Sequence, residues 1–189
     1  IITGFVLFGQ VFINWWAGPG YEDAYIIACI LMIPVTIPLI QNIGLSILQA
    51  KNLYKYRTII FFGIAILNIA MSIPLTKMYG GIGTAIGTAV SLILGQGIIL
   101  NIYYHKKVGI NMIEFWKNIL RMSIPIVFVV LFGIGLNMLI VSDSILILAV
   151  KIVLYTAVYG LLMWFFGMNT YEKDLIRKPV NKILAKVRG

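Results

Sequence analysis

Long runs of apolar residues are the feature that most limits how this chain can fold. Each of five runs is long enough to cross a bilayer as a helix, because a hydrocarbon core of about 30 Å needs roughly 20 apolar residues. These runs are Ala24–Leu48, Thr58–Leu75, Ile82–Tyr103, Ile119–Val141 and Ser144–Met168. None of them alternates apolar and polar residues with the period of two that a membrane barrel requires.

The runs predict an all-α, polytopic helical membrane protein. Only 11% of the residues are charged, against about 25% in soluble domains. That composition excludes a soluble enzyme domain, a disordered tail and a disulfide-stapled secreted module. The chain opens at Ile1 in an apolar stretch without the basic region of a signal peptide. We therefore expect a piece of a longer protein, in which Ile1–Ile13 is the far end of a sixth, partial span.

Basic residues alternate between the loops and so predict an orientation. Of the 15 Lys and Arg residues, all but Lys77 and Lys151 fall in Gln49–Arg57, in His105–Arg121 or in the tail. Basic loops stay cytoplasmic. The sequence therefore predicts a multi-pass protein of the cell membrane with a cytoplasmic C-terminus.

The tail, residues 169–189, is predicted to be separate from the membrane bundle of residues 1–168. Apolar residues recur there at helical spacing with basic residues between them: Ile176, Val180, Ile183, Leu184 and Val187. This pattern is typical of a basic amphipathic helix on an anionic leaflet. A solvated, frayed terminus is the alternative.

A stripe of small residues marks one face of the third full span. Gly83, Gly87, Ser91 and Gly95 repeat every four residues. Small side chains let two helices approach closely in lipid, where packing drives their association. The stripe predicts a helix-packing seam, either static or able to slide.

Two prolines and several amides interrupt the apolar character of the spans. Pro34 and Pro38 lie one turn apart and predict a bent helix, because each removes a backbone donor. Gln41 and Asn42 follow, and are expected either to face a water-filled cavity or to bond neighbouring helices. The remaining polar side chains of the spans are interpreted mostly as interhelical hydrogen-bonding groups: Asn68, Ser72, Thr84, Thr88, Gln96, Asn101 and Asn137.

Lys151 is the one charged residue placed within a span. It lies about 10 Å in, since it follows Ser144 by seven residues at 1.5 Å each. A membrane-embedded cation suggests a functional site, although a lysine at that depth can also snorkel to the headgroups. Arg121, at the cytoplasmic end of its predicted span, is a second candidate for contact with an anionic group. Its alternative role is to anchor that end of the helix on the cytoplasmic side.

The sequence contains no nucleophile–base pair, phosphate-binding loop or pair of carboxylates within a span that would indicate a catalytic site. No acidic residue lies within a predicted span, and the single histidine, His105, rules out a multi-histidine metal site. We therefore expect no enzyme activity, no metal and no cofactor. The net charge of +9 does not indicate nucleic acid, because the charges sit in short clusters between apolar runs.

Three stretches together resemble one family. Trp16-Ala17-Gly18-Pro19-Gly20-Tyr21-Glu22-Asp23-Ala24 follows Phe8, and Leu48-Gln49-Ala50-Lys51-Asn52 forms a short basic turn. Leu67-Asn68-Ile69 is followed by Tyr79-Gly80-Gly81-Ile82-Gly83-Thr84-Ala85-Ile86-Gly87-Thr88. In order and spacing they resemble the C-terminal part of polysaccharide flippases of the MATE-like exporter superfamily.

The resemblance implies one six-helix lobe of a two-lobe, alternating-access carrier. Such carriers move polyprenyl-diphosphate-linked oligosaccharides across the cytoplasmic membrane for surface polysaccharide biosynthesis. The expected partners are the bilayer, the lipid-linked glycan and an N-terminal lobe of the same chain. A multidrug or metabolite exporter of the same superfamily is one alternative. A membrane-embedded glycan-assembly enzyme and a structural membrane subunit are others.

Overall fold

A computed structural model describes residues 1–51, 53–140 and 144–188. Asn52, Val141, Ser142, Asp143 and Gly189 lie outside this set, as do the side chains of Ile43, Leu45, Ser46 and residues 180–188. The described chain is helical with short connections, so the all-α fold class is confirmed for it. Its α-helices are α1 (Ile2–Ala17), α2 (Glu22–Ile40), α3 (Asn42–Ala50), α4 (Tyr54–Leu92), α5 (Leu100–Tyr103), α6 (Met112–Leu139), α7 (Ile145–Leu162) and α8 (Thr170–Arg188). Three π-helical segments, Ile93–Ile99, Tyr104–Val108 and Met163–Gly167, connect or extend them.

Four helical stretches of the described chain are long and apolar enough to cross a membrane. They are Glu22–Ile40, Tyr54–Val108, Met112–Leu139 and Ile145–Gly167. Large apolar side chains on them stand exposed, among them Phe62, Met138 and Phe166. A water-soluble monomer does not expose apolar surface on this scale. The helices are therefore compatible with a multi-pass membrane protein.

The Tyr54–Val108 stretch is a helical hairpin. It turns at Gly80, whose φ of 59° and ψ of −138° lie outside the helical region and favour glycine. Contacts on either side of the turn are nested: Thr76 meets Thr84, Ser72 meets Gly87, and Ile64 meets Gly95. Residues 54–79, the first arm, therefore run antiparallel to residues 81–108, the second arm. The predicted spans Thr58–Leu75 and Ile82–Tyr103 correspond to these two arms.

The other helices of the same compact unit, Ile1–Phe115, pack around this hairpin. Tyr25 donates a hydrogen bond of 2.7 Å to the carbonyl of Val6, which joins α2 to α1. Contacts from α2 and α3 to the second arm advance together along both segments: Ile27 with Gly81, Ile37 with Gly97, Gln41 with Asn101 and Gly44 with Tyr104. The α2–α3 pair thus runs parallel to the second arm.

The second compact unit is Trp116–Gly189. Within it, α7 places Leu148, Lys151 and Tyr155 in buried positions at helical spacing. Its last turn widens into the π-helical segment Met163–Gly167. The tail helix α8 follows, and the guanidinium of Arg177 lies 5.5 Å from the ring centre of Trp164.

The structure differs from the expected spans in several places. The predicted span Ala24–Leu48 is divided at Gln41, whose ψ of 4° interrupts the helix. α2 continues without interruption through Pro34 and Pro38 to Ile40, and the bend expected at these prolines stays a prediction. The other bounds shift: α1 reaches Ala17 and α6 begins at Met112. A helix occupies Thr170–Arg188, in agreement with the helical spacing of the tail.

Candidate functional site

The predicted packing stripe faces the first arm of the hairpin. Gly83, Gly87, Ser91 and Gly95 are all buried. A Cβ on Gly87 would lie 2.6 Å from Ser72 Oγ and 2.9 Å from Ser72 Cα, and a Cβ on Gly83 would overlap the carbonyl of Leu75. Only glycine allows the two arms this backbone separation.

Hydrogen bonds cross the same seam. Thr88 Oγ1 donates to Asn68 Oδ1 at 3.2 Å, and Thr76 Oγ1 lies 2.6 Å from Thr84 Oγ1. Within the first arm, Ser72 Oγ donates to the same Asn68 Oδ1 at 2.7 Å. The seam is therefore held by small-residue packing together with a ladder of hydroxyl and amide groups.

The break between α2 and α3 brings a polar cluster together. Gln41 Nε2 donates to Asn101 Oδ1 at 2.8 Å, and Asn101 Nδ2 donates back to the carbonyl of Gly97 at 2.5 Å. Gly97 belongs to a π-helical segment, whose carbonyls are out of register with a regular helix. Asn101 thus links an irregular turn of the second arm to the interruption at Gln41.

Two buried oxygen atoms near this break have no hydrogen-bond partner among the described residues. Gln41 Oε1 and Tyr104 Oη are hydrogen-bonded to no described residue, although Gln41 is only 4% exposed and Tyr104 only 1%. Both residues line a cavity of about 60 Å³, together with Gly44, Ile47 and Met112. Unpaired buried polar groups are costly, and the wall of this cavity is almost entirely apolar, so the cavity itself offers these oxygens no polar partner.

Lys51 lies at the same end of this unit, where it caps the second arm. Its Nζ donates a hydrogen bond of 2.6 Å to the carbonyl of Val108, the last residue of the second arm. A lysine at a helix C-terminus compensates carbonyls left without helical donors. The basic turn at Lys51 and the basic segment after Tyr104 therefore lie at one end of the hairpin.

Lys151 is buried, with 6% of its surface exposed. Its Nζ donates to Asn137 Oδ1 of α6 at 3.1 Å. An amide oxygen accepts a hydrogen bond but carries no negative charge, so this bond does not neutralise the cation.

Arg121 and Asn42, two of the other predicted site residues, are exposed. Arg121 lies at a groove of its own unit, whose walls are Ile124, Pro125, Phe128, Leu162 and Phe166. Asn42 is exposed, whereas its neighbour Gln41 is buried. The structure therefore does not bring these two amides into one site.

Sequence reasoning missed Tyr104 and the capping role of Lys51. Tyr104 follows Asn101 by three residues, which places both on one helical face, and that spacing was the available signal. Lys51 offered none, because its acceptor is a backbone carbonyl. In the described part of the chain, no three His, Cys, Asp or Glu residues are grouped so that they could hold a metal.

Comparison with protein-family models, curated proteins and solved structures finds no match to this chain.

Proposed function

We propose that this chain is part of a membrane carrier that moves polyprenyl-diphosphate-linked oligosaccharides across the cytoplasmic membrane by alternating access. The observation that carries the proposal is the buried cation of Lys151, which has an uncharged partner. The motifs of the first 105 residues, which resemble polysaccharide flippases, supply the substrate class.

The physical reasoning starts from the free energy of placing a lysine inside a membrane. Insertion scales assign about 2.5–3.5 kcal/mol to a lysine at a helix centre. A hydrogen bond between side chains in a membrane recovers only about 0.6 kcal/mol on average, and a bond with a charged donor about twice that, so the bond to Asn137 offsets only part of the cost. A ligand that brings a negative charge to Lys151 would offset it.

A diphosphate suits this position. Its oxygens accept charge-assisted hydrogen bonds, which are roughly twice as strong as neutral ones. The binding energy appears only while the anion is present, so Lys151 would favour the loaded over the empty carrier. Lipid-linked glycans carry their diphosphate between the polyprenyl chain and the sugar, which brings it to membrane depth during transport.

The test is a binding titration with polyprenyl diphosphate that carries no glycan, using the chain in nanodiscs and native mass spectrometry. We expect Lys151→Gln to weaken binding by about tenfold, equivalent to about 1.4 kcal/mol. Lys151→Arg should retain part of the affinity, because it keeps the charge and changes the geometry. Lys77→Gln removes an exposed basic residue and is the matched control.

Wild-type affinity in Lys151→Gln, or an equal loss in Lys77→Gln, would contradict the proposal. A cellular measurement extends the test to transport. In a host whose surface polysaccharide depends on this protein, Lys151→Gln should reduce display while membrane abundance stays normal. Normal display would remove Lys151 from the transport path.

A further inference from the structure

The Trp116–Gly189 unit carries an amphipathic groove separate from Lys151. It has a volume of about 540 Å³ and is lined by Arg121, Ile124, Pro125, Phe128, Leu162 and Phe166. The volume is within the range of about 300–1,000 Å³ that is usual for ligand pockets. Among the described lining residues, Arg121 is the one that carries a charge.

Both walls of the groove contain a departure from regular helix. On α6, Pro125 has no N–H, so the carbonyl of Arg121 loses its usual donor four residues on. On the other wall, Leu162 ends α7 and Phe166 belongs to the π-helical segment Met163–Gly167. π-helical turns recur at functional sites. The groove is thus formed by two local irregularities that face each other.

The polarity of the groove changes along the helix axis. Arg121 lies at one end, and Phe128 is seven residues further along α6, which is about 10 Å at 1.5 Å per residue. A guanidinium is the preferred partner for phosphate oxygens, which it can bind in pairs. The other five lining residues are apolar, which suits a hydrocarbon chain.

We propose that this groove binds a glycerophospholipid with an anionic headgroup. Its phosphate pairs with Arg121, and one acyl chain lies against Pro125 and Phe128. Charge complementarity favours an anionic over a zwitterionic lipid, because the described lining residues include Arg121 and no acidic residue that could pair with a choline cation. This site is independent of the carrier function proposed above, since it shares no residue with the Lys151–Asn137 pair.

The experiment measures which lipids stay bound. The chain is reconstituted in nanodiscs with equal amounts of phosphatidylglycerol and phosphatidylcholine of identical acyl chains, then released into detergent for native mass spectrometry. We expect retained phosphatidylglycerol to exceed phosphatidylcholine by about fivefold: both lipids offer a phosphate, but the choline cation of phosphatidylcholine repels Arg121, and two like charges about 4 Å apart in water cost about 1 kcal/mol. Arg121→Gln should abolish the preference and Arg121→Lys should keep part of it.

Two controls separate this site from general surface charge. Lys117→Gln removes a basic residue one turn from Arg121 and outside the groove lining, and it should leave the preference intact. Ile124→Trp fills the groove while keeping the charge, and it should lower retention of both lipids. Circular dichroism verifies that each variant is folded.

Three results would overturn the proposal. One is equal retention of the two lipids by the wild-type chain. Another is an equal loss of preference in Lys117→Gln and Arg121→Gln, which would assign the effect to diffuse charge. The third is displacement of phosphatidylglycerol by glycerol phosphate, which has no acyl chain, or by stoichiometric polyprenyl diphosphate. The former would reassign the site to a free phosphate and the latter to the transported lipid.

Discussion

Gly87→Ala is the sharpest test of the hairpin seam. The added Cβ would lie 2.6 Å from Ser72 Oγ and 2.9 Å from both Ser72 Cα and N. Because the last two atoms belong to the backbone, a side-chain rotation cannot relieve the contact. The arms must move apart instead.

The size of the effect follows from these distances. Carbon atoms in contact prefer about 3.5–4.0 Å, so the arms must separate by roughly 0.6–1 Å. That movement would take the Thr88–Asn68 hydrogen bond from 3.2 Å to beyond bonding range. Overpacking costs about 1–3 kcal/mol, and a hydrogen bond inside a membrane protein adds about 0.6 kcal/mol.

Gly63→Ala is the matched control. Gly63 lies on the first arm, and a Cβ there would meet nothing within 4 Å. Both substitutions gain the same helix propensity, about 1 kcal/mol, so their difference isolates the seam. We expect Gly87→Ala to be less stable than Gly63→Ala by about 2–3 kcal/mol.

The assay is unfolding of the whole chain in mixed micelles with increasing dodecyl sulfate. Far-UV circular dichroism and the reactivity of Cys29, a partly buried thiol on α2, report the transition. Equal free energies of unfolding for the two variants would show that Gly87 does not face the first arm in the folded protein, and the hairpin described above would be refuted.

Two further predictions concern the ends of the first unit. In a Cys29→Ser background, a cysteine at Asn111 should resist an impermeant thiol reagent in whole cells, while one at Gly20 should react; labelling of both would contradict the alternation of basic loops. Tyr104→Phe should raise the free energy of unfolding by about 1–3 kcal/mol, because it removes a buried hydroxyl that is bonded to no described residue, whereas Tyr104→Ala should lower it by about 3–5 kcal/mol. A loss near 1 kcal/mol in Tyr104→Phe would show instead that water satisfies the hydroxyl.

The helical class was predictable because lipid leaves a backbone few alternatives. Without water in the hydrocarbon core, each N–H and C=O must be paired within its own segment, and the apolar runs therefore specify helices. The turn of the hairpin could also be predicted, because Tyr79-Gly80-Gly81 separates two apolar runs. Gly80 adopts the positive φ that glycine tolerates.

The break at Gln41 was not predictable from local sequence. Pro38 removes only the bond to the carbonyl of Pro34, and Gln41 N still donates to Ile37 O at 3.1 Å. The helix stops instead where the Gln41 side chain can reach Asn101, sixty residues away in the chain. Only the parallel packing of α2–α3 on the second arm creates that partner, so tertiary structure decides where the helix ends.

The same packing links the charge pattern to the geometry. Parallel register from Ile27–Gly81 to Gly44–Tyr104 requires that α3 and the second arm finish at the same end. Lys51 then reaches the carbonyl of Val108, which joins two loops that the charge pattern assigns separately to the cytoplasm. Charge counts and backbone contacts are independent observations. Because they place the same two segments together, a measured sidedness for one of these loops determines that of the other.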